Sequence, residues 1–183
     1  MKSVMISIQP KWCELIASGK KTIEVRKTRP KIETPFKCYI YATKAVETNT
    51  YYYMANIDLG RTPYNGKVIG YFVCDFIADG KAGVQEWRYI CEHSCLSCKE
   101  IYDYCGEDED GETKYCYGWH ISDLVIYDKP KELGEFICKC NKKYCTGCED
   151  FCDEGETIFR MCGGLKAVTR PTQSWQYVEE KEN

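Results

Sequence analysis

The sequence predicts a single α+β domain: a small mixed or closed β-sheet of six or seven short strands, two short helices and a cysteine-rich insertion. Three observations carry this. The chain has 183 residues, which fits one compact domain. Its 44% hydrophobic and 14% aromatic content is enough for a packed core. Its apolar runs are short and mostly alternate with polar residues, the period of half-buried strands. No run approaches the roughly 18 residues of a membrane span. With 25 Lys and Arg against 28 Asp and Glu, the net charge is -3. A globally basic nucleic-acid wrapper is excluded, so any nucleic-acid site must be a local basic patch.

Val4–Ile8 reads as the first strand. Pro10 suits the first helical turn, and Trp12, Leu15 and Ile16 give helical spacing over Lys11–Ser18, with Gly19 as the stop. Thr22–Arg26 alternates, with Ile23 and Val25 on one face and Thr22, Glu24 and Arg26 on the other; a half-buried strand with a polar face is predicted. Lys37–Ala42 is a further strand. Lys44–Gly66, with tyrosines at Tyr51–Tyr53, is irregular. Lys67–Asp75 is a nearly continuous apolar strand. Glu86–Tyr104 reads as a helix, Gly106–Lys114 as a solvated loop, and Tyr115–Tyr127 as one or two strands. Phe136–Cys162 lacks periodicity and reads as the insertion. Ala167–Val178 closes the domain, and Glu179–Asn183 is expected to fray.

The 14 cysteines are the compositional anomaly. The N-terminus lacks the apolar stretch and cleavage site of a secretory signal, so a reducing cytoplasm is expected, where clustered cysteines bind metal more often than they pair. Cys138, Cys140, Cys145, Cys148, Cys152 and Cys162 fall within 25 residues, and Cys145-Thr146-Gly147-Cys148 has the form of a zinc knuckle. Four of the six are candidate ligands for a structural zinc ion that would stabilise a segment poor in apolar residues. Disulfides or free thiols are the alternatives. Cys91, Cys95 and Cys98 form one stripe at i, i+4 and i+7. They read as core packing or, with His93, Cys105 or Cys116, as a second metal site. Cys13, Cys38 and Cys74 read as core.

The informative segment is Gly19-Lys20-Lys21-Thr22-Ile23-Glu24-Val25-Arg26. It places Lys21, Glu24 and Arg26 on one surface, two cations about a carboxylate. Arg26 can grip a phosphate or base edge as a fork, Lys21 acts as a point charge, and Glu24 orients either one. An ordinary surface ladder of opposite charges has the same spacing. Tyr117, Trp119 and Trp175 supply either a stacking wall for a base or core packing. His93 and His120 are the only histidines, so a histidine-based triad is improbable.

Gly19-x-Lys21-x-x-Glu24-x-Arg26 resembles the signature of the ASCH domain family. Ile6–Lys11, Lys37–Thr43, Gly66–Gly70, Tyr117–Ile121 and Arg170–Tyr177 resemble further family segments in the same order. The ending is similar to that of small prophage-type members. The resemblance implies a PUA-like β-barrel over residues 1–183, with residues 136–162 inserted, and a cleft suited to RNA or a modified nucleoside. Lys21, Thr22, Glu24, Arg26, Trp119 and Trp175 are the expected binding residues. Some small members are amidohydrolases acting on N4-acetylcytidine. They use a lysine matching Lys21 and a threonine nucleophile where this chain has Glu24. If this chain is such an enzyme, Lys21 and Glu24 are the expected catalytic pair, with the carboxylate activating water instead.

Overall fold

The computed structural model describes residues 3–44, 66–81, 85–111, 113–140 and 164–181. The tyrosine run Tyr51–Tyr53 and Cys145, Cys148, Cys152 and Cys162 lie outside them. The architecture is α+β. Ten strands run in chain order: β1 (Ser3–Ile8), β2 (Ile23–Arg26), β3 (Phe36–Ala42), β4 (Lys67–Cys74), β5 (Ile77–Gly80), β6 (Cys116–His120), β7 (Ser122–Lys131), β8 (Phe136–Lys139), β9 (Leu165–Ala167) and β10 (Trp175–Glu180). Among the described residues three α-helices accompany them: α1 (Pro10–Ala17), α2 (Gln85–His93) and α3 (Cys98–Cys105).

The strands form a seven-stranded sheet, ordered β7-β4-β3-β1-β10-β8-β9, and a three-stranded sheet, ordered β2-β6-β5. The small sheet presents Glu24 and Trp119, which are register partners, toward the inner face of the large one. Between the sheets lies a core of Val4, Ile6, Ile8, Cys38, Ile40, Phe72 and Trp119, joined by Cys13 and Ile16 from α1. The other face of the small sheet, with Ile23, Val25 and Ala78, packs under α2 and α3 against Trp87, Ile90 and Ile101. Gly118 makes that approach possible, because a Cβ there would meet Ile90 at 2.7 Å and Ile23 at 3.0 Å.

No hydrogen-bonded pairing closes the large sheet into a barrel among the described residues. It is nonetheless rolled. β7 and β8 stand five strand spacings apart in the sheet order, about 24 Å if flat. The chain joins Lys131 of β7 to Phe136 of β8 through five residue steps, at most about 18 Å. The curl brings the rings of Tyr39 on β3 and Phe136 on β8 to 4.8 Å, over a second core that includes Met5, Tyr41, Val68 and Val178. It also brings Lys131 of β7 onto Glu180 of β10.

Four sequence expectations need correction. The Glu86–Tyr104 helix is two helices: the chain breaks after α2, Cys95 takes a positive φ of 57°, and Ser97 caps α3 through a reciprocal pairing with Glu100. The insertion begins later than Phe136, because Phe136–Lys139 pairs with both β10 and β9, and Phe136 is fully buried. Glu179 and Glu180 do not fray, since they pair with Ile137 and Phe136. The polar face of β2 is not exposed, because the large sheet covers it.

Two outcomes follow from this packing. Gly118→Ala should lower stability by about 1–3 kcal/mol in urea denaturation, as overpacking between α2 and β6 requires. Glu180 accepts from the Tyr39 hydroxyl at 2.8 Å and is paired with Lys131 and Lys37. Burial opposes its ionisation, but these partners outweigh it and hold the carboxyl below its ordinary pKa. Its contribution is therefore full above the unfolded-state value near ~4.3 and is lost as pH falls through the lower folded-state value. Glu180→Gln should cost on the order of 1 kcal/mol at neutral pH. The gap between variant and parent should close in acid, as read by thermal melts across pH.

Candidate functional site

The site is built where α1 ends. Gly19, at φ 73°, turns the chain left-handed, which glycine adopts without steric penalty. The amides of Lys20 and Lys21 then donate back to the Leu15 carbonyl at 2.9 and 3.0 Å. This turn folds Lys21 beneath the helix, with its ammonium 5.3 Å from the Trp12 ring centroid. β2 starts two residues later and carries Glu24 and Arg26 on the face that meets the large sheet.

Lys21 is 2% exposed and Glu24 6%. Glu24 stands between the two cations, its Oε2 3.4 Å from Lys21 Nζ and its Oε1 3.0 Å from Arg26 Nη2. Backbone carbonyls complete the arrangement. Lys21 Nζ donates to Ser94 O at 2.6 Å, and Arg26 Nη2 donates to Ser7 O at 2.6 Å. Burying ions costs several kcal/mol each unless charge and hydrogen bonds compensate; here one carboxylate and two carbonyls do so. The compensation is incomplete on the donor side. Arg26 Nε and Trp119 Nε1 are buried with no hydrogen-bond partner among the described residues.

Lys21, Glu24 and Arg26 thus come together as the sequence predicts, but inside the molecule and not as a surface ladder. Thr22 spends its backbone elsewhere, donating to His93 O and accepting from the Ile121 amide. Trp119 is fully buried, with Phe36 edge-on at 5.7 Å and Trp175 at 6.0 Å, so no ring face is open for a base. Its stacking role is corrected to packing. Trp175 is half-buried, and its indole N–H donates to the Thr28 hydroxyl at 3.0 Å. His120 bonds Asp75 at 2.6 Å and stacks on Phe76, away from the triad's face of β6.

The sequence reading missed three contributors. Trp12 was read only as a helix-face residue, and Ser7 and Ser94 act through carbonyls that no residue-type pattern reveals. The α1 residue Cys13 also lies within electrostatic reach of Glu24 and Arg26. Burial, and then Glu24, push its thiol far up, so it stays protonated and is no nucleophile.

A cavity of about 830 Å³ lies toward the β5 side of the small sheet, lined by Arg29, Lys31, Ile32, Phe76 and Ile77 among others. Ile77, Trp119 and Glu24 are register partners in one row, so Trp119 separates cavity and triad. Arg29 lies 5.4 Å from the Tyr117 ring centroid and 3.3 Å from Asp79, and Phe76 is 39% exposed.

Of the zinc candidates, Cys138 is on β8 and Cys140 just beyond it. The Cys140 amide donates to Gly164 O at 2.8 Å, so the two ends of the cysteine-rich segment meet at a hairpin stem. Cys91 and Cys98 form a disulfide, which corrects both their reading as a packed stripe and their place in a second metal site. Among the described residues no three His, Cys, Asp or Glu side chains converge as metal ligands.

A family model for the ASCH domain matches residues 6–182. Solved structures of an ASCH protein from Zymomonas mobilis share the fold. The parent form is 24% identical, with a TM-score of 0.52 over 72% of this chain and 73% of that one. One single-substitution variant is 23% identical, with a TM-score of 0.52 over 73% of this chain and 77% of that one. No curated protein matches the sequence.

Because Glu24 is the shared ion-pair partner of both cations, Glu24→Gln should destabilise the fold by about 3–5 kcal/mol, the cost of breaking a buried pair from one side. A loss under about 1 kcal/mol in urea denaturation would mean that the cations reach solvent and the triad is not closed.

Proposed function

The chain belongs to the ASCH domain family, and from that premise we propose that it binds RNA or a modified nucleoside through Lys21, Glu24 and Arg26. The supporting observation is the donor excess of the site. Two cations face one carboxylate, and the buried N–H groups Arg26 Nε and Trp119 Nε1 lack acceptors among the described residues. A buried donor left unpaired costs about 1–3 kcal/mol, so a ligand rich in acceptors, such as a base carbonyl or a phosphate, is favoured there.

The degree of burial selects among nucleic acids. A triad this enclosed has no room for a duplex, whereas a single unstacked base or a free nucleoside is small and planar. The exposed Arg29 and Lys31 in the neighbouring cavity wall suit the phosphates of an adjoining single strand. The net charge of -3 keeps non-specific attraction weak. The rolled large sheet supports reading the fold as a PUA-like barrel variant.

Hydrolysis of an acylated nucleoside such as N4-acetylcytidine is the second reading. The 3.4 Å approach of Lys21 Nζ to Glu24 Oε2 favours it, since it sets an ammonium beside a carboxylate as an acid–base pair. No activated thiol joins them, so water would be the nucleophile and Glu24 its base. The same proposal gives the cysteine-rich segment a structural zinc ion held by four of its six thiolates. Cys138 and Cys140, spaced i, i+2 at the hairpin stem, fit that role.

The test is calorimetric titration with short single-stranded RNA, cytidine and N4-acetylcytidine, with acetate release followed in parallel. Arg26→Ala should weaken binding by about tenfold or more, some 1.4 kcal/mol. Arg26→Lys should not restore it, because the fork is lost. Full-affinity binding by a folded Arg26→Ala protein would remove the triad from the interface. Acetate release abolished by Lys21→Ala would move the assignment from binding to hydrolysis.

A further inference from the structure

Three consecutive residues, the last of α2 and the two that follow it, grip the segment that carries Lys21. His93 O accepts from the Thr22 amide at 3.0 Å, Ser94 O accepts from Lys21 Nζ at 2.6 Å, and the Cys95 thiol donates to Lys20 O at 3.3 Å. The Cys91–Cys98 disulfide spans this loop, joining α2 to the first residue of α3. Ser94 is fully buried, while Cys95 and Cys98 are exposed and Cys91 is partly so. The loop is therefore tied from the outside by a solvent-accessible bridge, with a third thiol held inside it as Cys95-Leu96-Ser97-Cys98.

We propose that Cys91, Cys95 and Cys98 form a thiol–disulfide exchange site whose co-reactant is a small thiol of the glutathione class, and that its disulfide state holds the clamp on Lys21. An external thiolate attacks Cys91 Sγ. The Cys91–Cys98 bond breaks, a mixed disulfide forms at Cys91, and Cys98 leaves as a thiolate. The leaving group lies at the first position of α3, where the helix dipole favours an anion. A second external thiol attacks the mixed disulfide, yielding the small-molecule disulfide and reduced Cys91. Two thiols thus supply the two electrons that the bridge takes up.

Alternatively, Cys95 attacks the mixed disulfide and expels the small thiol, leaving Cys91 bonded to Cys95. That route draws the Cys95 thiol away from Lys20 O. The first route removes the bridge around the loop that keeps Ser94 O on Lys21; the second replaces it with a bridge that pulls Cys95 off Lys20 O. The clamp is defined by contacts within the chain, and only its consequence for ligand binding rests on the proposed function.

The test uses the full-length protein in two redox states, equilibrated with glutathione disulfide or with dithiothreitol. Differential alkylation and mass spectrometry report the thiols, and amide hydrogen exchange reports the clamp. The oxidised form should protect Cys91 and Cys98 from alkylation while Cys95 reacts. Reduction should expose all three and speed exchange at the Thr22 amide by about tenfold or more, with the β3 amides still protected. In Cys95→Ser treated with reduced glutathione, the mixed disulfide should accumulate on Cys91 because the internal resolving thiol is missing. Alkylation of Cys91 and Cys98 in the glutathione disulfide-treated protein would overturn the proposal. So would Thr22 exchange that is equal in both states, or loss of β3 protection on reduction, which is global unfolding. None of these readouts involves RNA, so failure here is separable from failure of the binding assignment.

Discussion

The carboxylate of Glu24 is the point on which the site and much of the fold depend. It pairs with Lys21 on one side and Arg26 on the other, and those two cations reach outward to carbonyls on different elements. Through Lys21 the pairing fixes the α2–α3 loop, and through Arg26 it fixes β1. One buried anion therefore ties the small sheet to the large sheet and to the helical layer. Buried ion clusters of this kind add little net stability over apolar packing, because desolvation offsets their attraction. They do punish misplacement, since any arrangement that parts the ions leaves a charge unpaired in a medium of low dielectric.

The apolar parts of the structure supply the stability that the triad does not. The core between the sheets and the core inside the roll of the large sheet are both dense in Ile, Val, Phe and Tyr. The roll follows from connectivity. A short link between β7 and β8 cannot cross a flat sheet, so the sheet curves until they meet. The curve then permits the cluster of Lys37, Lys131, Tyr39 and Glu180 on the concave face. The outer layer is thinner. α2 and α3 contact the small sheet over Gly118 and Gly80, where missing side chains let Ile90 approach. The break between these helices holds Ser94, whose carbonyl grips Lys21, so the Cys91–Cys98 disulfide and the Cys95 thiol sit beside the triad.

The neighbouring cavity and the triad differ in their access to solvent. Around the cavity, exposed cations and the partly open ring of Phe76 meet solvent, while the triad is sealed behind Trp119 and Trp12. In the proposed function the exposed basic rim would align a strand without reading it, and the enclosed, donor-rich site would read the edge of one base. Family membership agrees with this division without specifying the ligand, and the solved relatives, below 25% identity, speak to the fold alone.

Local patterns alone determined a good deal. Pro10 and Gly19 bracket α1 because each has a backbone preference independent of its surroundings. Alternation marked β2 and placed Glu24 and Arg26 on one face, and the spacing of Lys21, Glu24 and Arg26 pointed to the site. Tertiary structure decided the rest. The same alternation suits an exposed face or a face covered by a second sheet, and only the packing of the large sheet made the triad internal and closed the ring of Trp119. The i, i+4, i+7 cysteines read as one helical stripe because periodicity does not register the turn at Ser94–Ser97. That turn let Cys91 and Cys98 meet and aimed Ser94 O at Lys21. Backbone carbonyls carry no residue code, so the partners that hold both cations became visible only once distant segments were brought together.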